Sequence, residues 1–233
     1  GDAQYMSLKR AVSAAKGIGL DLDILSPEEA HRYWPQISLD GVKGAIWLPT
    51  DGWLDPHGMV SLLAREARRM GTTMLTQTRV TDVVVEDREV KAVQTTAGRI
   101  DCEILINAAG MWAPRLAEMV GVVMPMVPVN HQHLTTVPSP GLEFAPDTPV
   151  LRDRSHLIYI REEVRGLLIG GFETEPVEWH PEGVPWDHAA RSLQPDFDQF
   201  ASIMDGAIAR IPSLFSQVSG DSLPGRIRNP RTP

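Results

Sequence analysis

The chain has 233 residues, enough for one large domain or two small ones with ample core. Apolar residues make up 42% and charged residues 22%, an ordinary globular balance, and no apolar run approaches the length of a membrane span. The net charge of −8 argues against nucleic acid as the main partner, and the single cysteine, Cys102, rules out an internal disulfide framework and fits a reducing compartment.

The first predicted element is a helix over 4–17, with Met6, Leu8, Val12 and Ala15 apolar and Lys9, Arg10 and Lys16 outside. A short helix follows in "LSPEEAHRYWP". Ser26 suits its N-cap, Pro27 its first position, and Glu29 completes a capping box before Pro35 ends it. "GAIWLPTDGWLDP", 44–56, reads as a strand and a turn. Asp55 and Pro56 then cap a helix through Met70, closed by Gly71, with Val60, Leu63, Ala64, Ala67 and Met70 at helical spacing. From residue 73 the period changes. "TMLTQ" reads as a strand, and "RVTDVVVED", "VKAVQTTAG" and "RIDCEILI" as three more, with turns at Asp87–Glu89 and Ala97–Gly98.

The stretch "EILINAAGMWAPRLAEMVG", 103–121, predicts a strand at Ile104, Leu105 and Ile106, covered on both faces. Asn107, Ala108, Ala109 and Gly110 then remove side-chain bulk, so that a ligand or another backbone can come close. Pro114 starts a helix with Leu116, Met119 and Val120 apolar, and Gly121 stops it. Such a helix N-terminus favours nearby phosphate. These residues alone fit an ordinary strand-to-helix turn equally well. Cys102, beside this strand, reads as a small buried hydrophobe.

Beyond Gly121, "PVNHQHLTTV", "PVLRD", "LIYIREE" and "GLLIGGFE" read as neighbouring strands of an antiparallel sheet. "EPVEWHPEGVPW" reads as a loop, and 197–211 as a helix with Phe197, Phe200, Ile203, Met204 and Ile208 apolar. Alternation puts His131 and His133 on one strand face, and Tyr159 and Arg161 on one face of another. Arg161 reads as a surface residue paired with Glu162 or Glu163. His131-x-His133 is also a metal-ligand spacing, which Glu173 or Asp153 could complete.

The stretches "LPTDGWLDPHGMVSLLAREARRMG", "INAAGMWAPRLAEMVGVVMPMVPVNHQHLTTVPSPG" and "PVLRDRSHLIYIREEVRGLLIGGFE" resemble the FAD-dependent sarcosine and dimethylglycine dehydrogenases, within the D-amino-acid-oxidase-like superfamily. The resemblance runs from about Ala3 to about Gly220. It implies a mixed α+β and α/β fold: a partial two-dinucleotide-fold FAD domain with a meander, plus an antiparallel-sheet substrate domain. The substrate domain is expected at 1–54 and 127–219, the FAD part at 55–126, and a tail at 220–233. Members of the family oxidise N-methyl groups of glycine derivatives by hydride transfer to the flavin.

His131 and Tyr159 match the family's active-site histidine and tyrosine. The histidine would hydrogen-bond the substrate and assist deprotonation of its amine, and the tyrosine would hold the substrate or the histidine. Val80, Ala108, Ala109, Gly110 and Trp112 match cofactor contacts, although Trp112 also suits plain packing. No residue group here is assigned to a metal by the resemblance.

The glycine-rich strand, turn and helix that opens the family's flavin domain has no match in this chain. The expectation is therefore a fragment lacking that N-terminal FAD-binding segment. FAD is implied for a complete member and is not expected to be retained by this chain. The expected partners are a small N-methylated amine and, through an exposed domain edge, a further copy of the chain, with no nucleic acid and no membrane. The expected location is cytoplasmic, or the mitochondrial matrix in a eukaryote. The alternative readings are a non-catalytic remnant or interaction domain without cofactor and, behind it, a His-x-His metal-dependent hydrolase.

Overall fold

The structure, a computed structural model, describes residues 2–138, 142, 144, 145, 147–188 and 192–214. The tail read at 220–233 lies outside the described residues. The fold mixes helices and sheets, and every pairing between the described strands is antiparallel. The chain divides into two compact units: Gly1–Trp53 with His131–Glu175 and Ser192–Pro233, and Leu54–Asn130 with Pro176–Arg191.

In the first unit, helix α1 (Asp2–Gly17) precedes strand β1 (Asp23–Leu25), helix α2 (Pro27–Tyr33) and strand β2 (Ala45–Trp47). β1 and β2 pair with each other. α2 starts as its residues dictate: the Ser26 hydroxyl accepts from Glu29 N, and the Glu29 carboxylate accepts from Ser26 N. Trp34 ends that helix, is buried, and donates its indole N–H to Pro149 O at 2.8 Å.

The main sheet holds β6 (His133–Thr135), β7 (Leu151–Asp153), β8 (Ile158–Glu163) and β9 (Gly166–Gly171), in the order β6-β9-β8-β7. Helix α5 (Phe197–Arg210) belongs to the same unit. Period-two alternation divides the sheet into unlike faces. Ile158, Ile160, Leu167 and Ile169 are buried together with Phe200, Ile203 and Ala207 of α5. Gly171 admits the helix: a Cβ there would lie 2.8 Å from Ile203 Cγ1. Tyr159, Arg161 and Gly170 alternate with those residues and belong to the other face.

In the second unit, helix α3 (Pro56–Arg69) is capped by the Asp55 carboxylate, which accepts from His57 N and Gly58 N. No residue of α3 is buried. A meander of β3 (Val80–Glu86), β4 (Glu89–Thr95) and β5 (Gly98–Asp101) follows. Its first turn places Asp87 and Arg88 at positive φ, the backbone of a tight hairpin. A short 3-10 turn at Gly110–Trp112 leads into α4 (Ala113–Glu118). Leu116 of α4 packs on Val83 and Val93 of the meander, with Cys102, Leu105, Ala109 and Met119 beside them.

Three expected elements differ. Ile104–Ile106 is not a strand: Leu105 packs on the meander, while Ile104 and Ile106 are 79% and 80% exposed. "TMLTQ" is likewise irregular, since no described strand pairs with it. The helix expected to run on to Val120 ends at Glu118, and the α-helical part has only 6 residues.

Candidate active site

Tyr159 is the second residue of β8, held there as the β-branched Ile158 and Ile160 on either side of it pair along β9. It stands opposite Gly170 on one side and Arg152 of β7 on the other. Gly170 is itself opposite His133, so β6, β9 and β8 line up in one row. A Cβ on Gly170 would lie 2.2 Å from Tyr159 Cζ and 2.3 Å from its Oη. The missing side chain therefore lets the phenol lie across β9 and reach the loop before β6. There it meets His131, two residues ahead of the strand, with Nε2 to Oη at 3.3 Å. The structure brings these two expected residues together, although His131 itself lies outside the strand.

Two side chains that sequence reasoning did not assign to this chemistry complete the cluster. The Glu173 carboxylate, weighed only as a metal ligand, lies 3.1 Å from His131 Nδ1. Phe172 stacks near the imidazole, with ring centres 5.9 Å apart and planes 27° off parallel. Among the described residues no group of three or more His, Cys, Asp or Glu could hold a metal ion. Asp153 is occupied elsewhere, held by Arg210 Nε and His156 Nδ1, each at 2.7 Å.

Burial pushes the Tyr159 phenol above its ordinary value, and the charge of Glu173 adds to this against Arg152 and Arg161. The hydroxyl thus keeps its proton near neutral pH and is available as a donor. Arg161 pairs with Glu163, donates to Glu162 O, and lies 4.4 Å over the Trp53 ring. The pairing its neighbours suggested is present, with a cation–π contact added, but the guanidinium is half-buried rather than on the open surface.

The expected cofactor residues lie in the second unit. Val80 opens β3 opposite Thr95, and its side chain packs on the cluster around Val83, as does Ala109. Ala108 is exposed, and Gly110 has φ +55 with nothing within 4 Å of a Cβ built on it. Asn107 braces this turn: its Nδ2 donates to Ala113 O at 2.9 Å and its Oδ1 accepts from Ala109 N at 3.3 Å. Open space beside a braced, nearly side-chain-free backbone fits close approach by a flat or phosphorylated group. Trp112 also makes a structural contact. Its indole N–H donates to Pro185 O at 2.9 Å, and Arg115 donates to Val184 O at 2.8 Å, so both hold the 184–185 segment.

A family profile described as FAD dependent oxidoreductase matches residues 1–227. Mitochondrial sarcosine dehydrogenase of Mus musculus is 32% identical over 211 residues, covering 88% of this chain and 22% of the relative. Mitochondrial dimethylglycine dehydrogenase of Rattus norvegicus is 29% identical over 197 residues, covering 82% of this chain and 23% of the relative. The chain thus spans under a quarter of the length of these curated relatives. The crystal structure of L-proline dehydrogenase from P. horikoshii superposes with a TM-score of 0.75 at 25% identity, covering 93% of this chain and 55% of that one.

Proposed function

Because this chain belongs to the FAD dependent oxidoreductase family, we propose that it contributes the substrate-handling side of a flavin-dependent enzyme that oxidises the C–N bond of a small N-methylated glycine, sarcosine or dimethylglycine. The observation that carries the reading is the contact of His131 Nε2 with Tyr159 Oη across a glycine-cleared strand. The names of the two dehydrogenase relatives support the substrate class. FAD, when bound, supplies the acceptor for the hydride of the N-methyl carbon.

The chain's own residues prepare the amine. A methylated amine is mostly an ammonium at neutral pH, and its lone pair is then unavailable to drive hydride loss. His131 Nε2 takes one N–H proton of the ammonium and leaves the neutral amine. The Tyr159 hydroxyl, released from Nε2 by this exchange, turns its hydrogen to the substrate and holds it in place. The braced turn at Ala108, Ala109 and Gly110 would offer the flavin nucleotide a close backbone approach, and Val80 would contribute to holding its adenine end.

The test has two arms. The protein is reconstituted with FAD, passed through gel filtration and examined for the visible flavin band, which reports how firmly these residues hold the cofactor. The flavin-loaded protein is then mixed anaerobically with sarcosine, dimethylglycine, glycine and proline. Bleaching by the two N-methylated glycines in preference to glycine and proline supports the reading. Bleaching by proline or glycine alone would remove the N-methyl assignment.

A further inference from the structure

Glu173 lies two residues beyond β9, and its side chain is only 7% exposed. Its two oxygens have unlike surroundings. Oε2 faces His131 Nδ1 at 3.1 Å, whereas Oε1 is buried without a hydrogen-bond partner. A buried carboxylate met on one side only is costly unless a positive charge answers it. The His131 side chain is 38% exposed, and its other nitrogen, Nε2, lies 3.3 Å from Tyr159 Oη.

We propose that Glu173 is a positioning residue that fixes His131 with its hydrogen on Nδ1 and holds the imidazolium formed when Nε2 accepts the substrate's ammonium proton. This rests on the reading of His131 and Tyr159 as the pair that handles the amine. An ionised carboxylate only accepts, so Nδ1 is the donor in this contact. A neutral imidazole carries one N–H, which leaves the lone pair on Nε2, the atom that faces Tyr159 Oη. In that tautomer the ring can accept; in the other, Nε2 carries the hydrogen and blocks the proton it is meant to take.

The step balances as a proton transfer. An N–H bond of the ammonium breaks, Nε2–H forms, and the amine keeps the electron pair. Glu173 stays ionised and accepts from Nδ1–H before and after. The imidazolium then places a positive charge directly beside Glu173 Oε2. The groups facing the pair are Tyr159 and Arg161 from β8, Arg152 from β7, His133 from β6 and Phe172 beside Glu173.

The experiment reads the tautomer and the rate separately. In the chain with 15N-labelled histidine, at a pH where the ring is neutral, the parent's His131 is expected to carry its hydrogen on Nδ1. Glu173→Ala is expected to move most of it to Nε2, and Glu173→Gln, which keeps shape and a neutral acceptor, part of it. In the flavin-loaded protein with dimethylglycine, Glu173→Gln is expected to slow flavin reduction on the order of 10- to 100-fold, by analogy with the cost of removing a carboxylate that orients a metal-bound histidine. The loss should shrink at high pH, where the amine arrives neutral, and substrate affinity should change little. The double variant with His131→Ala should be no slower than His131→Ala alone. A hydrogen that stays on Nδ1 in Glu173→Ala overturns the inference. So does a parental rate in Glu173→Gln while His131→Ala is slow, and the reading of His131 then stands. Parental rates in both variants overturn both.

Discussion

Replacing Gly170 with alanine puts a methyl carbon where the Tyr159 ring already lies. The Cβ would sit 2.2 Å from Cζ and 2.3 Å from Oη, whereas carbon atoms in ordinary contact stay about 3.5 Å apart. The outer end of the ring must therefore retreat by about 1 Å or more. The His131 Nε2 to Tyr159 Oη distance of 3.3 Å is already near the outer limit of a hydrogen bond, so the retreat breaks it. Overpacking of this kind costs about 1–3 kcal/mol of stability. Gly171→Ala is the matched control, because its Cβ meets Ile203 and Leu157 O at 2.8 Å, away from Tyr159. Urea melts should show comparable losses for both variants. Anaerobic mixing of the flavin-loaded proteins with substrate should separate them. Gly170→Ala should slow flavin reduction as much as Tyr159→Phe does, and Gly171→Ala should leave the rate per folded molecule near the parent's. Equal rates in the two glycine variants, at equal stability loss, would refute the idea that Gly170 seats the tyrosine.

Asp153 and Arg210 form a buried anchor, 10% and 8% exposed, that also ties α5 to Ser38 O. Asp153→Asn should cost roughly 3–5 kcal/mol by leaving the Arg210 cation uncompensated, measured by chemical denaturation. Burial alone would push the Asp153 carboxyl up, but hydrogen bonds from His156 and Arg210 outweigh it and hold the group below its ordinary value. A depressed folded value means that this contribution is present above the unfolded value of about 3.9 and is lost as pH falls through the folded one. The gap between parent and Asp153→Asn should thus be constant near pH 6–7 and close progressively below about pH 4, in melts across that range. Val60 and Leu63 of α3 and Met70 at its C-cap are 66%, 61% and 80% exposed, so the chain is expected to self-associate through apolar surface. Light scattering should give a mass that rises with concentration and falls in Val60→Glu/Leu63→Glu; a monomeric mass throughout in the parent would contradict this.

Local chemistry made much of the fold legible. The Ser26–Glu29 capping box, the Asp55 cap and the hairpin at Asp87–Arg88 each depend on residues within a few positions, and each forms as expected. Ile104–Ile106 has the composition of a buried strand, but strand formation needs a distant ladder partner, and none is found among the described residues. The same holds for "TMLTQ". His131 and Tyr159 were visible through the family resemblance, and the antiparallel pairing of β6, β9 and β8 explains how they meet. Gly170 announced a close approach without saying to what. Glu173 was an isolated acid in sequence, since its partner lies 42 residues away in the chain. Trp112, matched to a cofactor contact through the resemblance, also donates its indole N–H to Pro185 O, a partner 73 residues away that no local pattern announces.

The central claim is that His131 and Tyr159 act as one unit that makes the amine reactive. Single-turnover flavin reduction across pH 6–9 tests it most directly, in the flavin-loaded parent, His131→Ala, Tyr159→Phe, their double variant and His133→Ala. His131→Ala should lose on the order of 100-fold or more near neutral pH, with its pH dependence moved upward toward that of the free amine. Tyr159→Phe should do the same more mildly, the double variant should lose less than the product of the two, and His133→Ala should stay near the parent. A parental rate for His131→Ala at every pH, with His133→Ala slowed instead, would contradict the account and assign the chemistry to the other histidine.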